Sequence, residues 1–252
     1  MKNRQVVSVI TVVRNAENLI ERTIKSVLEQ TYDNIEYLII DGASTDATIQ
    51  IVKKYKSKID FLLSEPDKSI FDAMNKGLKN ATGDYVHFLN AGDTFFDKES
   101  LFKLMSVSFG ADFLYGRTIF VDIQGQRRLY SKQTPYPKEL SDRSFLNGMV
   151  ISHQAMVVKR DIAQKYEVEK LKVSNDIDWS IRVLKNAQST CFLDEPFCLF
   201  LDEGYSKKLS RRLYGMYERF KIGWHYFGFF PTFIEQFRIF YQYFRYPKKY
   251  CE

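Results

Sequence analysis

The stretch SEPDKSIFDAMNKGLKNATGDYVHFLNAGD, from Ser64 to Asp93, constrains this chain most. It reads as loop, helix, turn, strand, loop. Residues 64–68 are polar and contain Pro66, so they form a loop. Residues 70–79 place Ile70, Ala73, Met74, Gly77 and Leu78 on one helical face. Residues 81–84 contain Gly83 and turn the chain. Residues 85–89 are a short apolar run that suits a buried strand. Asn90, Ala91, Gly92 and Asp93 follow that strand's carboxyl end, where open α/β sheets bind ligands. An acid there is placed to hold a metal ion and, through it, phosphate.

The flanking sequence repeats the pattern. Residues 6–13 are continuous and β-branched, as in a central parallel strand. Residues 15–18 can cap a following helix with Leu19, Ile20, Thr23, Ile24, Val27 and Leu28 as its apolar stripe. After a turn at 31–34, residues 35–40 form a strand ended by Asp41-Gly42. Ser44 or Thr45 caps a helix running to about Lys56, and residues 59–63 form a third strand. Strands alternating with helices give an α/β fold, with a mainly parallel sheet flanked by helices on both faces.

Further along, residues 98–107 predict a helix. Residues 112–121 and 126–130 predict a β-hairpin joined across 122–125. A strand at about 155–158 follows the pair His153-Gln154. Residues 173–186, VSNDIDWSIRVLKN, put Ile177, Ile181 and Leu184 on one helical face, with Asp176 and Asp178 at its start. Residues 189–192 and 197–201 predict two more strands.

The chain has 252 residues and a formal charge of +6. That length suits one large α/β domain with room for an appendage. Cys191, Cys198 and Cys251 form no CxxC pair, which argues against a disulfide framework or a zinc site and fits a reducing compartment. The apolar run after the basic N-terminus is short and lacks a cleavage site, so it predicts a first strand and not a signal peptide.

The basicity is confined to the end of the chain. Residues 205–252 hold ten Lys or Arg against three acids, a surplus of +7, which leaves the remainder near −1. Residues 232–246 carry Phe233, Phe237, Phe240 and Phe244 in one stripe, as in a helix lying in a membrane interface. The tail's longest run without charge, 222–234, is too short to span a bilayer and contains Pro231. Packing of the stripe on the sheet or on another subunit is the alternative. Basic and aromatic composition also suits nucleic acid, but nothing else in the chain supports that partner.

In combination, SEPDKSIFDAMNKG, ATGD and LNAGD resemble the inverting family 2 glycosyltransferases of the GT-A fold, over roughly residues 6–206. The likeness is to the bacterial surface-polysaccharide type. It implies a GT-A domain at 1–206, and the composition sets 207–252 apart as a basic aromatic helical tail. It implies a donor that is a nucleotide-diphosphate sugar, by family frequency a UDP-sugar. The acceptor is then a saccharide or lipid-linked saccharide, and the location cytoplasmic, peripheral on the inner face of the membrane.

The resemblance also assigns residues. Thr11, Asn15 and Asp41 fall on the base and ribose side, and Asp67 and Lys68 beside the diphosphate. Asn75 and Asn90 join the donor site, and Asp93 is the ligand of Mg2+ or Mn2+. The family's acidic motif reads like D-x-D-D. Here Asn-Ala-Gly-Asp leaves Asp93 as its one carboxylate, which puts metal affinity in question. His153, Gln154 and Trp179 fall on the acceptor side. Asp176 matches the general base, with Asp178 in reserve. Asp202–Ser206 matches a Gly-x-Ser loop that closes over the diphosphate.

Plainer roles compete at several positions. Ser44, Thr45 and Asp46 are good helix caps. Asp176 and Asp178 suit a helix N-terminus, and a lone His is often structural. Two other functions are weighed. A sugar-phosphate nucleotidyltransferase needs a Gly-rich basic loop after the first strand, where this chain has RNAENLIE. A catalytically silent, membrane-bound scaffold has only the reduced acidic motif in its favour.

Overall fold

The computed structural model describes residues 5–126, 136–202 and 209–245. Its strands are β1 (Val7–Val13), β2 (Ile35–Asp41), β3 (Phe61–Ser64), β4 (Tyr85–Phe88), β5 (Thr94–Phe95), β6 (Phe113–Val121), β7 (Met156–Lys159) and β8 (Thr190–Leu201). The helices are α1 (Ile20–Leu28), α2 (Thr48–Lys54), α3 (Ile70–Asn80), α4 (Ser100–Ser106), α5 (Asn175–Asn186), α6 (Leu209–Phe227) and α7 (Phe229–Arg245).

Among the described residues the strands join in one sheet of order β3-β2-β1-β4-β7-β6-β8-β5. β3, β2, β1 and β4 are parallel. β7 runs antiparallel to both β4 and β6, so its N-terminal end meets the carboxyl end of β4 and, on its other side, Tyr115 of β6. Successive strand side chains face opposite ways, and β1 shows it. Ile10 and Val12 join the layer under α3 and α5, whereas Val7, Val9 and Val13 join the layer under α1, α2 and α4.

Several boundaries differ from the sequence expectation. Residues 15–18 do not cap α1 with a side chain. Instead the amides of Leu19 and Ile20 bond to the Ala16 carbonyl. Asn15 adopts φ +49°, the left-handed region that Asn tolerates better than most residues. The two strands expected at 189–192 and 197–201 are one continuous β8. Pro196 interrupts nothing because it sits at a β-bulge opposite Arg117, where no ladder N–H is needed. The hairpin expected at 112–130 ends in a turn between Asp122 and Gln126. Most of its second strand lies outside the described residues, as do residues 203–206 of the Gly-x-Ser loop.

The helix α6 is part of the body of the fold. Ile222 is buried with the residues of α5 and β7, and Tyr226 and Phe227 pack against that core. α7 turns back on α6 after Gly228, which adopts φ +87°.

Candidate active site

The loops after β1, β2 and β3 are tied together at the carboxyl edge. Asn15 Oδ1 accepts from the Thr45 amide at 2.8 Å, and the Asn15 amide donates to Ser44 Oγ. The Asp41 carboxylate accepts from the Ser44 amide, the Ser44 hydroxyl and the Ser64 hydroxyl. Asp41 is fully buried, so here it organises the loop and offers no open surface. Asp46 caps α2, accepting from the Thr48 amide and from the Glu17 amide. Hydrogen bonding, led by the Thr48 side chain and followed by those amides, holds its carboxyl below the usual range.

Thr11, expected on the base and ribose side, lies within the core. It is 0 % exposed, and its hydroxyl meets that of Tyr37 at 3.2 Å. Strand alternation turns it toward the α1 layer, so it lines no open site.

The loop after β3 holds its own cation. Lys76 reaches Asp67 at 2.6 Å and Glu65 at 2.9 Å, and also bonds to the Pro66 carbonyl. Lys76 comes from α3, one helical turn after Asp72, and was missed in the sequence. Its signal was its spacing from Asp72, which puts both residues on one helical face. Lys68 is exposed; among the described residues its backbone amide donates to Asp72 and no partner engages its ammonium. Its ammonium is therefore the candidate for phosphate in this loop. Asn75 exchanges two hydrogen bonds with the Tyr166 backbone, so it anchors the segment leading to α5.

The Asn90–Asp93 turn is knitted to the start of β7. Asn90 Nδ2 lies 3.1 Å from His153 Nε2, and the Asn90 amide oxygen is buried without a protein partner. Burial pushes the His153 imidazole down to about 4, helped by the nearby His87, so the ring is neutral. Asp93 is 4 % exposed. Its Oδ2 accepts from Gln154 Nε2 at 2.8 Å and its Oδ1 from the Leu201 amide at 2.9 Å. Burial raises its carboxyl to about 7. Gly92 adopts φ +101°, and a Cβ there would lie 2.9 Å from Leu201. That position demands glycine and brings the end of β8 onto the turn.

These facts decide whether the turn suits a divalent cation. Hard cations need several open oxygens. Asp93 is a lone acid whose oxygens both bind protein donors. No group of three His, Cys, Asp or Glu among the described residues could hold a metal. The residues do not fit a dedicated Mg2+ or Mn2+ site, and Asp93 is better described as a latch.

The second half of the site is the start of α5. Trp179 is 1 % exposed. Its indole N–H donates to the Gln164 carbonyl at 2.6 Å, and its ring stacks on Tyr166. It supports the floor from beneath and is not exposed to an acceptor. Phe88, two residues before Asn90, meets both rings edge-on. Ser180 lies against Met156, the first residue of β7. These contacts seat α5 against the sheet edge that carries the Asn90–Asp93 turn.

Asp178 is spoken for, accepting from Arg182 Nε at 2.8 Å and from the Tyr226 hydroxyl at 2.8 Å. Asp176 is different. It is half-buried, and its carboxylate accepts from the Ile177 amide at 2.9 Å. Burial raises its carboxyl to about 6, with backbone N–H groups and Arg219 opposing. The Tyr166 hydroxyl is buried without a partner, and burial together with the Asp176 charge holds that phenol well above its ordinary range.

Comparison with known proteins bears on this arrangement. Residues 8–167 match the model of glycosyl transferase family 2. The chain belongs to that family. It is 26 % identical over 201 residues to a putative teichuronic acid biosynthesis glycosyltransferase, TuaG, of Bacillus subtilis, covering 76 % of this chain and 77 % of that one. It is 40 % identical over 90 residues to an Escherichia coli UDP-Glc:α-D-GlcNAc-diphosphoundecaprenol β-1,3-glucosyltransferase, WfaP, covering 35 % and 36 %. The S. aureus TarS fragment 1–349 in complex with UDP superposes with a TM-score of 0.67 at 21 % identity, over 86 % of this chain and 64 % of that one. The chain therefore spans less than two thirds of that fragment. The family and these folds make it a GT-A glycosyltransferase.

Proposed function

We propose that this glycosyltransferase moves a sugar from a UDP-sugar to a hydroxyl of a saccharide, or of a lipid-linked saccharide, with inversion. The observation that carries this is Asp176. A half-buried carboxyl near pKa 6, without a side-chain donor among the described residues, at a helix start on the ligand-binding edge, is suited to accept a proton at neutral pH. It would deprotonate the acceptor hydroxyl as that oxygen bonds to the anomeric carbon and the nucleoside diphosphate leaves with the bonding electrons. The names of WfaP and of the TarS complex support a uridine nucleotide, and WfaP a lipid-linked acceptor.

Lys68 is the cation this chain offers the diphosphate, and Asn90, with its orphaned amide oxygen, offers an acceptor to a ribose hydroxyl. His153 and Gln154 hold the turn. Family membership speaks against the nucleotidyltransferase and the silent scaffold.

The acceptor's location comes from α7. Its outward face carries Phe230, Phe233, Ile234, Phe237 and Tyr241, all more than half exposed, while Thr232 is fully buried against α6. An apolar face turned away from the core suits an interfacial membrane helix. No helix among the described residues is long and apolar enough to cross a membrane.

Asp176→Asn tests the reaction. Transfer should fall by about 10²–10⁴-fold with UDP binding retained. Wild-type turnover in that variant would remove Asp176 from the role.

A further inference from the structure

Glu218 is a buried carboxylate that the reaction above leaves unused. It lies on α6 and is 1 % exposed. Its Oε1 accepts from the Lys172 amide at 2.7 Å, and its Oε2 from the Val173 and Ser174 amides at 2.9 and 2.8 Å. Three successive N–H groups thus point into one anion, a backbone nest filled by a side chain from another element. Such charge-assisted bonds are the strong ones. They hold the residues that lead into α5, whose N-cap, Ser174, makes no side-chain cap bond of its own. The Ser174 hydroxyl donates instead to the Gly215 carbonyl, one turn before Glu218. A Cβ at Gly215 would sit 3.3 Å from Val173, so the segment lies directly on the α6 backbone. Asp176 follows Ser174 by two residues.

We propose that Glu218 is a positioning residue for the general base. By clamping the amides of Lys172, Val173 and Ser174 from α6, it fixes the entry of α5 and the aim of Asp176. This rests on the assignment of Asp176 as the base. α6 is then part of the transferase apparatus. Around Asp176 stand Arg219 and Glu218 from α6 and Tyr166 from the preceding segment. On its own helix, Asp178 is already paired with Arg182 and Tyr226. The Glu218 charge opposes ionisation of Asp176 and that of Arg219 favours it.

The test uses the full chain with a UDP-sugar and a saccharide acceptor. Glu218→Gln keeps the shape but removes the charge and turns an NH2 toward the amides. Its kcat per folded enzyme should fall by about 10²-fold, the scale of a roughly 1 Å misplacement, with donor KM nearly unchanged. The acid limb of its kcat profile should move to lower pH, because an anion that disfavours ionised Asp176 is gone. A Glu218 that served only stability would lower the melting temperature and leave both kcat and the limb unaltered, which overturns the proposal.

Should Glu218→Gln fail to fold, Gly215→Ala decides. Alanine is favoured in a helix, and its Cβ would press on Val173. Lowered kcat with retained UDP affinity supports the clamp, and unchanged kcat overturns it. Asp176→Asn separates the two readings. An inactive Asp176→Asn beside fully active Glu218 and Gly215 variants sinks only the clamp. An active Asp176→Asn sinks the base, and the clamp with it.

Discussion

Gln154 donates to Asp93 Oδ2 at 2.8 Å while the Leu201 amide donates to Oδ1 at 2.9 Å. One buried carboxyl thereby joins the turn after β4, the start of β7 and the end of β8. The sequence expectation made Asp93 a metal ligand; in the structure both of its oxygens already accept from protein donors, so it also acts as a latch. Asp93→Ala leaves two buried donors unpaired, at a cost of about 2–5 kcal/mol in all. The melting temperature should fall by roughly 5–15 °C. UDP binding titrated with Mn2+ should keep its metal dependence, or lack of it, in whatever fraction folds. An unchanged melting temperature with loss of metal-dependent binding would restore the ligand role.

The Asp93 latch has a pH signature. Burial raises its carboxyl to about 7, so the folded chain binds this proton more tightly than the unfolded chain does. Its stabilising contribution is complete below the ordinary carboxylate range and is lost as pH rises through about 7. His87 and His153, both pushed down to about 4 by burial, act oppositely. Their contribution is present above the ordinary imidazole range and is lost as pH falls toward 4. Subtracting the melting curve of Asp93→Asn from wild type isolates the carboxyl. The wild-type advantage should shrink steadily between about pH 5 and pH 8; a growing advantage would contradict the burial-raised carboxyl.

Asp176 sets a second pH dependence, in rate. Its active form is the carboxylate, and its carboxyl is raised to about 6. Turnover should therefore fall as pH drops below about 6, approaching a tenfold loss per pH unit. A kcat profile flat down to about pH 4.5 would show that no group of this kind limits the reaction.

Lys76 and Lys68 should separate by experiment. Lys76 bonds Asp67, whose side chain is 8 % exposed. Lys76→Met strands that carboxylate and should cost about 1–3 kcal/mol of stability. Lys68 is exposed, so Lys68→Ala should alter stability by no more than about 0.5 kcal/mol. Its loss should appear as weaker binding of UDP, most clearly at low salt. Thermal melting with and without UDP reads both effects. Equal UDP affinity in Lys68→Ala and wild type would remove it from the diphosphate.

The sheet was legible because it is built from local signals. β1 and β2 are unbroken apolar runs, and the acids after the strands mark the ligand edge. Asp176 was legible as the opening of an amphipathic helix. What was not legible are partnerships made at a distance. Asp93 and Leu201 are 108 residues apart, and Gln154 is 61 from Asp93. No local period encodes which way the Asp93 carboxyl turns. The burial of Thr11 was not legible because its face depends on which layer receives each side of β1. Glu218 lies 44 residues from Ser174. Its one local trace is that it is the lone acid of α6 in a basic, aromatic tail, which is unusual enough to have prompted a search for its donors.

α6 and α7 should part company when tested separately. α6 buries Glu218 and Ile222 in the body of the fold, so truncation before residue 207 should abolish folding and not merely release the chain from a membrane. α7 presents Phe233, Phe237 and Tyr241 outward, and changing all three to Ser removes apolar surface that no core contact needs. That variant should melt near wild type and transfer normally to a soluble acceptor. Binding to vesicles containing anionic lipid should fall by about tenfold or more, since each ring removed from the interface is worth on the order of 1 kcal/mol or more. Wild-type binding should also weaken with salt, because basic residues near an anionic surface contribute about 1 kcal/mol each. Equal vesicle binding by variant and wild type, with a wild-type dimer that the variant cannot form, would assign this face to a second copy of the chain.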